Sequence, residues 1–162
     1  MTGDVMSILR ARIQEANIAI DRGNLPYAES LLDETILQAT ESGLSEVRAT
    51  ATHDRALVAN RRGRFEEAVV LQYEAFKGVR NQMARDRVLN DLGTSFVQLG
   101  VYSAARDAYL VVAATAQEQY MRWTATINLL DVAVYERREP LFEQYRRDLE
   151  GVPLPPALAP YY

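Results

Sequence analysis

Residues 89–116, LNDLGTSFVQLGVYSAARDAYLVVAATA, restrict what this chain can fold into more than any other stretch. Leu89, Leu92, Gly93 and Phe96 are apolar or small at helical spacing; Gly100 breaks the pattern, Tyr102 follows, and Ala105 and Tyr109 open a second stripe. Apolar residues at three- and four-residue steps on both sides of an isolated glycine mean two amphipathic helices joined by a turn. The small residues let the two helices approach closely.

The same pattern runs through the chain. Val5, Ile8, Leu9, Ile13, Ala16 and Ile20 predict a first helix that stops at residues 21–24. Pro26 suits the first turn of the next helix, where its missing N–H costs nothing, and Ala28, Leu31, Leu32, Ile36 and Leu37 form that helix's stripe. Gly43 reads as a left-handed cap and Ser45 as the N-cap of a third helix running through Val47, Ala51, Ala56, Leu57 and Ala59. After the break at Gly63 come Phe65, Ala68, Val69, Leu71, Ala75, Phe76 and Val79. A helix over residues 83–99 pairs with one from Tyr102 to about Gln119; Tyr120, Trp123, Ile127, Leu130 and Val134 make the next. Pro140 then starts a last helix lined by Leu141, Phe142, Tyr145 and Leu149 and ended by Gly151.

Aligning the turns places Gly23, Gly63, Gly100 and Arg138 in equivalent positions, at intervals of 40, 37 and 38 residues. Leu25, Phe65, Tyr102 or Pro140 follows two residues later, and Ala28, Ala68, Ala105 or Glu143 five residues later. The prediction is an all-α domain over residues 1–150 made of four antiparallel hairpins, at about 5–43, 45–82, 84–119 and 120–150. The spacing L-x-x-L-G-x-x-F-x-x-x-G-x-Y-x-x-A-x-x-x-Y resembles the tetratricopeptide repeat (TPR) signature. The intervals exceed the roughly 34 residues of the standard repeat. They resemble the long-helix variant of kinesin light chains and some bacterial peptide receptors, with the extra length expected in the helices. The resemblance covers about residues 9–150 and implies a right-handed α-solenoid with a concave groove.

The tail, GVPLPPALAPYY, holds four of the six prolines and cannot be a helix interior. Two readings remain open: an extended tail packing over the last hairpin, or the start of a further repeat cut short at Tyr161-Tyr162. An uncapped solenoid end exposes apolar surface, so self-association is a further expectation.

Composition removes several function classes. The 162 residues carry 48% hydrophobic and 25% charged residues, a globular balance. A net charge of -4 disfavours nucleic acid and anionic membrane as partners. With no cysteine there is no disulfide, thiolate metal site or cysteine nucleophile. No apolar run approaches the roughly 20 residues of a membrane span, and Asp4 and Arg10 interrupt the N-terminus, so a cytoplasmic protein is expected.

No catalytic constellation is present. His53 is the only histidine, so a two-histidine metal site is excluded, and its neighbour Asp54 points about 100° away on a helix. Ser95 sits inside a helix with no strand-to-helix elbow. Asp33-Glu34 and Glu66-Glu67 read as solvated helix faces; the arginines at 61, 62, 64, 137, 138, 146 and 147 read as helix-end cations facing the negative end of the dipole, the alternative being a basic rim for an acidic partner. The expectation is a non-enzyme without cofactor or metal.

In a TPR-like stack the first helix of each hairpin lines the concave face. That implies a peptide-binding groove of Asn17, His53, Asn60, Arg87, Asn90, Thr94, Asn128 and Tyr135. Asparagine is only a middling helix former, and its amide can pair with both groups of a peptide bond. The alternative for these asparagines is that they satisfy local helix groups. The carboxylate clamp of chaperone-binding TPR domains is not matched, since Asp54 and Asp91 put acidic residues at its positions. The predicted function is a scaffold for a protein or peptide partner; the alternative is a self-association module acting through uncapped ends or the convex face, as a homo-oligomer.

Overall fold

The computed structural model describes residues 2–159; Pro160, Tyr161 and Tyr162, the end of the predicted tail, lie outside the described residues. Eight helices follow in order: α1 (Thr2–Asp21), α2 (Leu25–Glu41), α3 (Ser45–Arg61), α4 (Phe65–Gly78), α5 (Gln82–Gln98), α6 (Tyr102–Thr115), α7 (Gln119–Tyr135) and α8 (Glu139–Leu149). No strand occurs among the described residues. The chain divides into two compact units, residues 1–81 and 82–162, each holding two helical hairpins.

One turn is used five times. The residues at 23, 43, 63, 100 and 137 take positive φ values of 77°, 67°, 73°, 72° and 55°. In each turn the N–H that follows reaches back five residues to a helix carbonyl. Asn24 N–H donates to Ala19 O at 2.8 Å, Leu44 to Ala39 at 2.9 Å, Arg64 to Ala59 at 2.9 Å, Val101 to Phe96 at 2.9 Å and Arg138 to Ala133 at 2.8 Å. This is the Schellman arrangement, which satisfies carbonyls orphaned at a helix end and needs a left-handed residue.

Arg137, not Arg138, is therefore the counterpart of the turn glycines, and the last interval is 37 residues. Glu139 and Phe142, not Pro140 and Glu143, occupy the positions two and five residues on. The sequence pattern misaligned because arginine gives no sign that it will accept positive φ. Pro26 and Pro140, each three residues past the left-handed residue, carry the true register.

The extra repeat length lies in the helices: α3, α5 and α7 have 17 residues each, against 14 in α4 and α6. Helix α6 ends at Thr115 rather than near Gln119. No breaker marks that end. Ala116 turns extended (ψ 135°) and is buried, and Arg122 Nη1 donates to its carbonyl at 2.7 Å.

Within each unit the helices approach on small residues. Ala28, Ala68 and Ala105 are fully buried at the same point of their hairpins. A Cβ on Gly93 would meet the Tyr109 ring at 2.6 Å, and one on Gly78 would meet Ala49 Cβ at 2.9 Å. The first unit's core gathers Leu9, Ile13, Ile20, Leu32, Val47 and Val58. The second unit's core is built on Tyr109, Val112, Ile127, Leu129, Val132, Tyr145 and Leu149. Two tail residues join it: Leu158, 6% exposed, and the half-buried Leu154. Apolar burial of this kind is worth about 25 cal/mol per Å² and dominates the cohesion of each unit.

Candidate functional site

In the second unit the first helices of the two hairpins are α5 and α7. Asn90 on α5 is almost buried, and its Oδ1 accepts a 3.1 Å hydrogen bond from Nδ2 of the half-buried Asn128 on α7. Two of the predicted groove amides thus meet each other across neighbouring hairpins. Thr94 Oγ1 lies 3.0 Å from the Tyr109 hydroxyl and 3.3 Å from the Asn90 carbonyl, so the threonine links α5 to α6. Burial pushes the Tyr109 hydroxyl up to about 12, against the lowering effect of the Thr94 bond; the carboxylates of Asp91 and Asp131 push it up further. It stays a neutral hydroxyl at physiological pH.

Arg87 is exposed one turn before Asn90, its Nη2 3.6 Å from the Met83 sulfur. Tyr135, 52% exposed, stacks on Tyr102 with ring centroids 5.2 Å apart and planes 17° from parallel. The pair ties the start of α6 to the end of α7.

In the first unit, Asn17 on α1 and His53 and Asn60 on α3 are half-buried. Asn17 precedes its left-handed turn residue by six positions and Asn60 by three, so the two stand at different heights on their helices. Asn90 and Asn128 precede theirs by ten and nine, which is why those two meet.

The first unit also holds an ion-pair cluster that the sequence pattern did not reveal. Arg55, its side chain 10% exposed, reaches Glu29 at 2.5 Å, Asp33 at 2.8 Å and Glu67 at 2.9 Å. Glu29 also takes Arg62 and, at 2.6 Å, Arg64, which itself reaches Glu67 at 3.1 Å. Asp33 and Glu67 are therefore not simply solvated faces, and Arg62 and Arg64 serve a carboxylate rather than the helix end. Burial alone would push the Glu29 carboxyl up, but the Arg64 hydrogen bond and the charges of Arg55, Arg64 and Arg62 hold it below the usual range. Arg61 does serve a helix end: its Nη1 donates to the Ile20 carbonyl in the last turn of α1 at 2.9 Å. The i, i+4 pair Glu29 and Asp33 on α2 was a readable hint; their convergence on Arg55 is a product of packing.

Among the described residues, two of the hollows belong to the second unit. One, of about 370 Å³, is lined by Ala133, Val134, Arg137, Arg138, Glu139 and Phe142 at the α7–α8 turn. The other, of about 180 Å³, is lined by Thr124, Ile127, Asn128 and Asp131 of α7 and by Leu158 of the tail. Among the described residues no three His, Cys, Asp or Glu side chains are placed to hold a metal ion, and no helix is long and apolar enough to cross a membrane.

No protein-family model and no curated protein matches the sequence. Solved structures do match it. BtubC (BKLC) from P. vanneervenii is 18% identical with a TM-score of 0.77 over 91% of this chain and 66% of its own. Two structures of a Podosopora anserina kinesin light chain with nearly identical TPR-like repeats, one of them a variant, are 18% and 16% identical. Their TM-scores are 0.71 and 0.70, over 87% and 90% of this chain and 74% and 77% of theirs. The chain thus spans from just under two thirds to about three quarters of the proteins it resembles. At these identities the likeness establishes architecture alone: the chain has the all-α, solenoid fold of TPR-like helical repeats.

Proposed function

We propose that this protein is an interaction scaffold that takes an extended segment of a partner protein across the first helices of its hairpins. TPR-like repeats are in general interaction scaffolds, and stacked repeats present long surfaces suited to that use. The observation that carries the reading is the Asn90–Asn128 pair bridging α5 and α7. Nδ2 of Asn128 and Oδ1 of Asn90 are taken by one another, which holds both amides in place. The half-buried Asn128 then offers Oδ1 to a peptide N–H. Thr94 and Arg87 on α5, and the exposed face of Tyr135 on α7, flank it. Asn17, His53 and Asn60 are the corresponding candidates on the first unit, taken by itself.

Panning a random peptide library on the protein and on the Asn90→Ala/Asn128→Ala variant tests this. The variant should lose about 1–3 kcal/mol of affinity for the selected peptides, with its helical circular dichroism unchanged. Unaltered affinity refutes the reading.

Self-association has one observation in its favour. Leu110 and Val111 stand side by side on α6, 40% and 49% exposed. Light scattering over a concentration series would then show a rising mass that Leu110→Glu/Val111→Glu abolishes; a constant monomer mass refutes it.

A further inference from the structure

Among the described residues, the polar groups lining the smaller hollow of the second unit present mainly hydrogen-bond acceptors. The Thr124 hydroxyl donates its proton to the Tyr120 carbonyl at 2.9 Å, so its lone pairs are what remain. Asn128 points Nδ2 at Asn90, which leaves Oδ1 toward the opposite side of the amide. Asp131 contributes a carboxylate. Ile127 and Leu158, both buried, supply the apolar walls.

Three acceptors, one of them anionic, outnumber the second N–H of the Asn128 amide and match an ammonium group, which has three N–H donors and no acceptor. Apolar walls beside such a cluster match methylenes. The volume of about 180 Å³ equals roughly six waters, room for the four methylenes and ammonium of a lysine. A planar guanidinium, with five donors in a wide fork, fits this set less well.

Electrostatics point the same way. Among the described residues no cation pairs with Asp131, whose carboxyl is pushed up by partial burial alone. The Asp91 and Asp131 charges also act together on the Tyr109 hydroxyl, so the local field is negative. Asp131 is itself exposed, so an arriving cation can reach its carboxylate directly.

We propose that the hollow between α7 and the tail, closed by Leu158, receives a lysine side chain of the partner segment, its ammonium bound by Asp131, Asn128 and Thr124. The source of the lysine rests on the reading of the protein as a segment-binding scaffold; the chemistry of the hollow does not.

The hollow is tested directly by titrating the protein with n-butylammonium, a lysine side-chain mimic, while recording amide chemical shifts. Saturable shifts should appear at residues 124, 128, 131 and 158, and Asp131→Asn should weaken binding about tenfold or more by removing a charge-assisted contact. The variant's melting temperature should hold or rise, since it removes an unpaired carboxylate. Absence of localised shifts, equal shifts with 1-butanol, or tighter binding of n-butylguanidinium would each overturn the proposal. Library panning separates this from the wider reading. Selected peptides rich in lysine that lose affinity for Asp131→Asn support it. Selected peptides without lysine overturn the lysine assignment and leave segment binding standing; no selected peptide overturns segment binding.

Discussion

Gly93 is where α5 packs directly against the Tyr109 ring of α6, and replacing it with alanine sets two effects against each other. Alanine is the better helix former by about 0.8–1.0 kcal/mol, so on an open helix face the substitution would stabilise. Here the new Cβ would lie 2.6 Å from Tyr109 Cε1 and 2.9 Å from Cδ1 and Cζ. The ring cannot step aside cheaply: it is 2% exposed, and its hydroxyl is held 3.0 Å from Thr94 Oγ1. Overpacking a dense core costs about 1–3 kcal/mol, and a contact this short belongs at the upper end. Gly93→Ala should therefore lower stability by about 1–2 kcal/mol, or the melting temperature by about 2–8 °C for a chain of this size. Urea unfolding followed by far-ultraviolet circular dichroism measures it. Repeating the substitution in a Tyr109→Val background, which lacks every ring atom in the clash, should reverse the sign. Gly93→Ala then stabilises by about 1 kcal/mol, giving a coupling of about 2–3 kcal/mol. A stabilising Gly93→Ala in the otherwise native protein would refute the claim that the two helices nest on this glycine.

Three other outcomes follow from the same geometry. Arg137 holds φ 55° in a turn whose four counterparts are glycine, so Arg137→Gly should raise stability by about 1 kcal/mol, whereas Gly63→Ala should lower it by a similar amount; thermal melts decide both. The Glu29 carboxyl is depressed, so its contribution is complete above the ordinary carboxylate pKa of about 4.3 and fades as pH falls through the lower folded value. Glu29→Gln should accordingly cost more at pH 7 than at pH 3, and a pH-independent difference in urea midpoints would be contrary to the cluster described. Removing the cation instead, Arg55→Met should destabilise by about 1–3 kcal/mol at pH 7, because Asp33 loses its cation while Glu29 and Glu67 keep only Arg62 and Arg64; an unchanged melt would mean the Arg55 pairs contribute nothing.

The ion-pair cluster and the acceptor-lined hollow share a feature: each joins residues far apart in the chain. Arg55 meets carboxylates from α2 and α4, and Leu158 of the tail faces four residues of α7. Local spacing hints at the residues on one helix, Glu29 with Asp33 or Thr124 with Asn128, but not at Arg55 or Leu158, which packing brings to them. The asparagines were recognisable as a set, yet only Asn90 and Asn128 touch, because the pairing depends on how far each stands from its turn rather than on which helix carries it.

Local chemistry by itself determined the hairpins. Apolar stripes at helical spacing, prolines at the second position of α2 and α8, and glycines able to take positive φ settle which residues are helical and where most helices stop, because each effect acts within one or two turns of chain. Tertiary structure decided the rest. It placed the last turn on Arg137, ended α6 at Thr115 through burial of Ala116 and the reach of Arg122, and brought Asn128 onto Asn90. Those outcomes turn on surfaces meeting in space, where the cost of an arginine in a left-handed bend or an alanine leaving a helix is offset by contacts from distant helices.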